Sequence, residues 1–121
     1  MKKILIVDDE PNILMALEYA FKKQDFEVYI ARDGSEAIEI LKKELPNVIL
    51  LDIMMPKVDG YQTLQIIKQN EKLKDVKVVF LTAKSKKEDI EKGFSLGVDQ
   101  YFTKPFSTKK IIAEINLLIQ E

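Results

Sequence analysis

Residues 48–52, Val48-Ile49-Leu50-Leu51-Asp52, place four apolar side chains in an unbroken row directly before a carboxylate. A strand with one face in water alternates apolar and polar residues, whereas a strand that is apolar at every position is covered on both faces. The second pattern is typical of parallel sheets with helices packed on either side. The segment is therefore interpreted as a buried strand, and Asp52 as a carboxylate held at the end of that strand.

Short strand-like runs alternate with longer segments of helical periodicity along the whole chain. The five predicted strands cover residues 4–7, 28–31, 48–51, 78–81 and 100–103, and a helical segment follows each of them. Strict alternation of this kind predicts an α/β protein with a parallel sheet, right-handed crossovers and helices on both faces. Ligands bind to such sheets beyond the carboxyl ends of the strands. The residue after each strand is therefore where a functional site is expected.

Short motifs mark several of the predicted boundaries. Ser85 and Glu88 have the spacing of a capping box, which predicts that the fourth helix starts at Ser85. Gly97 is expected just beyond the end of that helix, and Ser107 is expected to cap the fifth helix. Residues 100–103 are more polar than the other strands, so they are predicted to form an edge of the sheet.

The composition narrows the possible functions. A chain of 121 residues is expected to form one domain, residues 1–121, without a separate output domain. The net charge of −1 favours neither nucleic acid nor an anionic membrane as a direct partner. Cysteine and histidine are both absent, which excludes disulfides, zinc–thiolate sites, histidine-ligated metals and serine–histidine triads. No apolar run approaches the roughly 20 residues that cross a bilayer, and a cytoplasmic location is predicted.

Five polar residues stand at the ends of the predicted strands: Asp8 and Asp9 after the first, Asp52 after the third, Thr82 after the fourth and Lys104 after the fifth. Taken singly, each has an ordinary interpretation as a helix cap, a strand end or a solvated lysine. The predicted fold nevertheless brings all five to one rim of the sheet. Three carboxylates there would repel one another unless a cation lay among them, and an all-oxygen site of this kind suits Mg²⁺.

The other two side chains complete a recognisable set of chemical groups. A lysine and a hydroxyl opposite a bound cation would face an anion held by that cation. An acidic pocket, a hard cation, a cationic side chain and a hydroxyl donor together indicate phosphoryl transfer. The nucleophile would be a carboxylate, because the chain has no histidine or cysteine to take that role.

These residues belong to motifs that resemble those of response-regulator receiver domains, the CheY-like superfamily of two-component signalling. The motifs are Asp8-Asp9, Leu51-Asp52-Ile53-Met54-Met55-Pro56, Asp59-Gly60, Leu81-Thr82-Ala83 and Tyr101-Phe102-Thr103-Lys104-Pro105-Phe106. Their order and spacing match the family, and the resemblance covers essentially the whole chain. It implies a doubly wound (βα)5 flavodoxin-like fold with a five-stranded parallel sheet of order 2-1-3-4-5.

The resemblance also implies a phosphoacceptor and a metal site. Asp52 is expected to accept a phosphoryl group from a phosphohistidine on a sensor histidine kinase or a histidine phosphotransfer protein. Mg²⁺, or Mn²⁺ in its place, is expected to bind the carboxylates of Asp9 and Asp52 and the main-chain carbonyl of Met54, with Asp8 acting through a metal-bound water. Such a chain is a signalling phosphoacceptor that assists its own phosphorylation and dephosphorylation, without turnover of an external substrate.

The remaining implied roles concern the phosphoryl group and the response to it. Lys104, Thr82 and the main-chain amide of Ala83 are expected to bind phosphoryl oxygens, and the Lys104–Pro105 peptide bond is expected to be cis. Thr82 and Tyr101 are expected to form the switch, in which Thr82 moves towards the phosphoryl group and the Tyr101 ring turns inward.

Two further positions and one surface follow from the same resemblance. Met54 and Lys84 are expected to flank the path of the hydrolytic water and so to set the lifetime of the aspartyl phosphate. The output surface, where a downstream protein target binds, is expected on the fourth helix, the fifth strand and the fifth helix. Direct contacts with nucleic acid or a membrane are not expected.

Three alternatives compete with this interpretation. A degenerate receiver would act as a docking module without phosphorylation, but such domains usually lack one of the key residues and none is lacking here. A flavin phosphate would call for a loop rich in serine, threonine and glycine after the first strand, where Asp8-Asp9-Glu10-Pro11 would repel it. A phosphatase of the haloacid dehalogenase type places its aspartates as Asp-x-Asp, whereas Asp8 and Asp9 are adjacent.

Overall fold

The computed structural model describes residues 1–120, so Glu121, the last residue of the predicted domain, lies outside the described residues. Strands and helices alternate strictly, with one short 3-10 turn (Glu71–Leu73) before the fourth strand. The elements are β1 (Lys3–Val7), α1 (Pro11–Lys23), β2 (Glu27–Ala31), α2 (Gly34–Leu41), β3 (Val48–Leu51), α3 (Gly60–Gln69), β4 (Lys77–Thr82), α4 (Lys87–Ser95), β5 (Gln100–Thr103) and α5 (Thr108–Leu118). All neighbouring strands are parallel, in the order β2-β1-β3-β4-β5. The predicted fold class and strand order are confirmed.

The core consists of two apolar layers, one on each face of the sheet. Successive side chains of a strand point to opposite faces, and in β3 Ile49 and Leu51 join one layer whereas Val48 and Leu50 join the other. The first layer contains residues of α2 and α3, and the second contains residues of α1 and α5. All four of these β3 side chains are buried, which explains why the strand is apolar at every position.

Most predicted element boundaries are confirmed. β5 is an edge strand, and the Ser107 hydroxyl caps α5 by accepting a 3.2 Å hydrogen bond from the amide of Lys110. Gly97 follows the last residues of α4 with a φ of 104°, a left-handed conformation that glycine adopts without steric cost. Within residues 1–120, no helix has the length and apolar character that crossing a bilayer requires.

The predicted capping box at Ser85 is wrong. The N-cap of α4 is Lys86, and no side chain caps this helix. The main-chain carbonyl of Lys86 accepts the first intrahelical hydrogen bonds, from the amides of Asp89 and Ile90. Ser85 therefore lies one residue before the cap, and the negative charges of Glu88 and Asp89 in the first turn stabilise the positive end of the helix instead.

Candidate functional site

The sheet itself positions the site residues, because its hydrogen-bond ladder continues one residue beyond several strands. The amide of Asp52 donates to the carbonyl of Val7 at 3.0 Å, next to the end of β1. The amide of Asp8 donates to the carbonyl of Ala31 at 3.1 Å, and that of Lys104 donates to the carbonyl of Thr82 at 2.9 Å. The main chains that carry Asp8, Asp52 and Lys104 are thereby tied to the rigid centre of the molecule.

The three aspartates meet at this rim, as their positions after β1 and β3 predict. Carboxylate oxygens of Asp8, Asp9 and Asp52 all lie within 4.8 Å of one another. Asp8 and Asp52 are only 2% and 4% exposed, whereas Asp9 is exposed. This set offers oxygen ligands only and is open to solvent at Asp9, which fits a hard divalent cation such as Mg²⁺ that keeps part of its water shell.

Each buried aspartate uses its two oxygens in the same way. Oδ1 of Asp8 accepts a 2.9 Å hydrogen bond from the amide of Glu10, and Oδ1 of Asp52 accepts a 3.1 Å hydrogen bond from the amide of Met54. Their Oδ2 atoms both contact the Lys104 ammonium, at 2.9 Å from Asp8 and 3.1 Å from Asp52. The main chain binds one oxygen of each carboxylate, and the Lys104 ammonium binds the other.

Lys104 has a third partner that the sequence did not reveal. Its Nζ lies 2.8 Å from Oε2 of Glu10, which is the shortest of the three contacts. No local rule connects residue 10 with residue 104, so only the adjacency of Glu10 to the Asp8-Asp9 pair could have pointed to it. The Lys104 side chain is largely buried and carries the only positive charge in contact with the two buried aspartates of the described chain.

The charges of the cluster shift two pKa values. Burial raises the pKa of Asp8, and the neighbouring charge of Asp52 adds to that rise, although hydrogen bonds from the Glu10 amide and Lys104 oppose it. Burial alone would lower the pKa of Lys104, but its hydrogen bonds to Glu10, Asp8 and Asp52 outweigh burial and raise that pKa. The Lys104 side chain is therefore a charged ammonium at neutral pH.

The glycine of the Asp59-Gly60 motif allows a close approach behind Asp52. A Cβ on Gly60 would lie 2.5 Å from the main-chain oxygen of Asp52 and 2.5 Å from the Cα of Ile53. Asp59 caps α3 and forms a reciprocal capping box with Gln62. The motif therefore holds the N-terminus of α3 against the loop that presents Asp52.

Thr82 and Tyr101 are linked through the main chain of Lys84. Thr82 is fully buried, and its Oγ1 accepts a 3.4 Å hydrogen bond from the amide of Lys84. The Tyr101 hydroxyl donates a 2.7 Å hydrogen bond to the carbonyl of the same residue. Burial raises the pKa of Tyr101 to about 12, and the neighbouring Tyr61, Asp89 and Asp52 add to the rise. Ala83, between Thr82 and Lys84, is exposed at the rim.

Tyr101 lies in a row of aromatic rings beneath α4. Its ring makes a T-shaped contact with Phe80 at a centroid distance of 5.9 Å, and Tyr61 makes a T-shaped contact with Phe80 at 5.8 Å. Gly93 of α4 comes so close that a Cβ there would lie 3.0 Å from the Tyr101 ring. No local sequence pattern points to Tyr61 or Gly93, because their positions near Phe80 and Tyr101 depend on how α3 and α4 pack against the sheet.

The remaining predicted residues lie around the same rim. Met54 follows the Asp52 strand end and its side chain is 54% exposed. The Lys84 side chain points to the carboxylate of Asp89, with 3.9 Å between charged atoms. The Lys104–Pro105 peptide bond is cis.

Comparisons with known proteins agree with this geometry. A protein-family model described as response regulator receiver domain matches residues 4–116. The receiver domain of the Francisella response regulator 1452 is 31% identical, with a TM-score of 0.92, over 99% of this chain and 98% of that one. The BeF3-activated DrrB receiver domain is 31% identical, with a TM-score of 0.91, over 100% of this chain and 99% of that one. The Vibrio cholerae chemotaxis protein CheY4 is 26% identical, with a TM-score of 0.91, over 97% of this chain and 98% of that one.

Proposed function

The chain belongs to the response regulator receiver family, and on this premise we propose that it accepts a phosphoryl group on the carboxylate of Asp52. Receiver domains are signalling phosphoacceptors and not classical enzymes. The observation that carries the proposal is the contact of the buried Asp52 carboxylate with Lys104 at 3.1 Å, directly beside Asp8 and Asp9. A nucleophile, the Lys104 ammonium and an oxygen-only ligand set then lie side by side at the rim of the sheet.

The donor is a phosphohistidine on a sensor histidine kinase or a histidine phosphotransfer protein. An Asp52 carboxylate oxygen forms the new bond to phosphorus while the bond from phosphorus to the imidazole nitrogen breaks, and that nitrogen keeps the electron pair. Asp52 suits this role because its main chain is held by Val7 and its Oδ1 by the Met54 amide. The attacking group is thereby oriented before the donor arrives, which removes part of the entropic barrier.

The carboxylates of Asp9 and Asp52, the Met54 carbonyl and, through water, Asp8 would hold Mg²⁺ or Mn²⁺. When bound, this ion supplies positive charge that stabilises the negative oxygens of the transferring group. The repulsion between the charges of Asp52 and Asp8, which adds to the effect of burial in raising the pKa of Asp8, is a reason for the site to take up a cation.

Lys104 and Thr82 bind the phosphoryl oxygens, together with the amide of Ala83. The Lys104 ammonium, whose Nζ lies 3.1 Å from Oδ2 of Asp52, turns to donate a hydrogen bond to a phosphoryl oxygen. The Thr82 hydroxyl donates to a second oxygen, which requires the buried side chain to move from its contact with the Lys84 amide. Thr82 is fully buried and the Lys104 side chain is largely buried, and hydrogen bonds to developing charge are most effective where water is excluded.

The movement of Thr82 biases a switch at Tyr101. The two residues hold opposite ends of the Lys84 main chain, so a displaced Thr82 changes the position of the Tyr101 acceptor. Phosphorylation then shifts the populations of two existing arrangements, for which a few kcal/mol are sufficient. The responding surface is formed by α4, β5 and α5, where a downstream protein target binds. The proposal includes a cytoplasmic location and no direct binding of nucleic acid by this chain.

Intact-mass measurement tests the phosphoacceptor directly. The protein is incubated with acetyl phosphate, with and without Mg²⁺, beside the variants Asp52→Asn and Asp52→Ala. The expected result is a gain of about 80 Da, one phosphoryl group, that requires Mg²⁺ and disappears in both variants. If neither acetyl phosphate nor a phosphorylated histidine phosphotransfer protein produces the gain, and Mg²⁺ does not bind, the domain is a docking module without phosphorylation.

A further inference from the structure

Glu10 makes the closest contact with the Lys104 ammonium. The distance from Oε2 of Glu10 to Nζ is 2.8 Å, against 2.9 Å from Asp8 and 3.1 Å from Asp52. An ammonium has three N–H donors, and the three carboxylates occupy all of them. Glu10 differs from the other two partners because its side chain is 57% exposed, whereas theirs are at most 5% exposed.

Helix capping does not account for the position of this side chain. Glu10 is the N-cap residue of α1, with an extended main chain, yet its carboxylate makes no capping hydrogen bond. Its amide is bound to Oδ1 of Asp8 at 2.9 Å, and Pro11 follows as the first helical residue. The main chain is therefore held at both sides, and the side chain extends across the pocket to Lys104 instead of folding back onto the helix.

We propose that Glu10 is a positioning residue that holds Lys104 in the unphosphorylated protein and releases it when Asp52 is phosphorylated. This inference rests on the function proposed for Asp52. Glu10 is the solvent-exposed partner of Lys104, so an incoming phosphoryl group competes with this carboxylate for the ammonium. The group brings its own negative oxygens to the ammonium, and these repel the Glu10 carboxylate.

Glu10 is the partner that the ammonium gives up most easily. A released Glu10 carboxylate is rehydrated at once because its side chain is already exposed, whereas a released Asp8 would remain a buried charge. The contact therefore opposes phosphorylation, because it must break before Lys104 can turn towards the phosphoryl group. Since exposed ion pairs contribute little, the expected effect on the affinity for a phosphoryl analogue is about three- to fivefold.

Three variants separate the contact from the charge. Glu10→Gln keeps the length of the side chain and removes its charge, whereas Glu10→Asp keeps the charge and shortens the side chain by one methylene. Glu18→Gln is the control, because Glu18 is another carboxylate of α1 but pairs with Lys22 at 2.9 Å. Beryllium fluoride binding in the presence of Mg²⁺ is measured by titration. Both Glu10 variants are expected to bind about three- to fivefold more tightly than wild type, and Glu18→Gln is expected to bind equally.

A second readout reports Lys104 itself in the absence of Mg²⁺ and beryllium fluoride. The side-chain ammonium is observed by ¹⁵N NMR and assigned with Lys104→Arg. Its hydrogen exchange is expected to be faster in both Glu10 variants than in wild type and unchanged in Glu18→Gln. Equal exchange rates and equal affinities in all the proteins would overturn the inference while leaving the phosphoacceptor function intact.

Other outcomes are equally informative. Tighter binding in Glu10→Gln alone, with Glu10→Asp like wild type, would assign the effect to local charge and overturn the role of the contact. If wild type takes up neither beryllium fluoride nor a phosphoryl group, the proposed function fails and the release step fails with it. The NMR signal then still shows whether Glu10 restrains Lys104 in the resting protein.

Discussion

The Tyr101 hydroxyl donates a 2.7 Å hydrogen bond to the main-chain carbonyl of Lys84, which ties the edge strand β5 to the loop between β4 and α4. The amide of the same residue, Lys84, donates a 3.4 Å hydrogen bond to the Thr82 hydroxyl, and Ala83 lies between Thr82 and Lys84. The edge strand and the rim of the candidate phosphoryl site therefore share one short segment of main chain.

We expect Tyr101→Phe to lower the free energy of unfolding by about 1 kcal/mol, because the variant leaves the Lys84 carbonyl without its donor. Urea denaturation at neutral pH measures the change. Amide resonances of residues 83–86 are expected to shift in the same variant. A variant as stable as wild type, with unchanged resonances in this loop, would show that the hydrogen bond does not restrain the loop.

Tyr61→Phe is the matched control and carries the opposite expectation. Among the described residues 1–120, the Tyr61 hydroxyl is the one buried side-chain polar atom without a hydrogen-bond partner. Its ring packs against Phe80 and lies under the Lys92 ammonium at 4.1 Å. Phenylalanine keeps both ring contacts and removes an unsatisfied polar atom, so stability is expected to be unchanged or slightly higher. A loss as large as that of Tyr101→Phe would reveal a partner for this hydroxyl.

Asp8→Asn is expected to stabilise the protein at pH 7 in the absence of divalent cations. Burial raises the pKa of Asp8 above its ordinary value of 3.8, so ionised Asp8 is less favourable in the folded protein than in the unfolded chain. Lys104 keeps Asp52 and Glu10 as partners in the variant. The measurement is urea denaturation of both proteins with a chelator present.

The pH dependence of that difference has a definite sign. Below pH 3.8, Asp8 is protonated in both the folded and the unfolded wild type, so its ionisation does not affect the free energy of unfolding. As the pH rises through 3.8, the unfolded chain ionises Asp8 before the folded protein does, so wild type loses stability relative to Asp8→Asn until the raised pKa is passed. If the stability difference between Asp8→Asn and wild type grew towards acidic pH, the pKa of Asp8 could not be raised in the folded protein.

Gly60→Ala is expected to lower the free energy of unfolding by about 2 kcal/mol and to slow phosphorylation. The added Cβ would lie 2.5 Å from main-chain atoms of Asp52 and Ile53, and main chain cannot rotate away as a side chain can. Asp59→Ala serves as the control, because it removes the cap of α3 without crowding Asp52 and is expected to cost about 1 kcal/mol. This expectation is wrong if Gly60→Ala is phosphorylated at the same rate as Asp59→Ala and has the same free energy of unfolding.

Met54→Asn is expected to speed dephosphorylation of the aspartyl phosphate. Met54 lies two residues after Asp52, its side chain is exposed, and its amide is bound to the Asp52 carboxylate. A bulky apolar side chain there hinders an approaching water, whereas an amide can orient one. Phosphoprotein decay is followed by intact mass, with Met15→Asn as the control because Met15 is an exposed methionine of α1. Equal decay rates in wild type and Met54→Asn would remove Met54 from the control of lifetime.

The sequence determined the fold class and the composition of the rim. Strand and helix periods are local properties, and the carboxyl ends of parallel strands meet at one edge whatever the details of packing. Asp8, Asp9 and Asp52 could therefore be placed together, and the structure brings their oxygens within 4.8 Å. The start of α4 was predicted wrongly because the Ser85–Glu88 spacing is a local signal that does not reveal which carbonyl begins the helix.

Only the tertiary structure decided which distant side chains touch. The contact of Glu10 with Lys104 spans 94 residues, and that of Tyr101 with Lys84 spans 17. Such contacts depend on how the helices pack on the sheet and on the direction in which a long side chain extends from its Cα. Neither produces a periodic pattern in the sequence. Local patterns therefore specified which edge of the sheet carries the reactive groups, and three-dimensional packing specified which side chains contact one another.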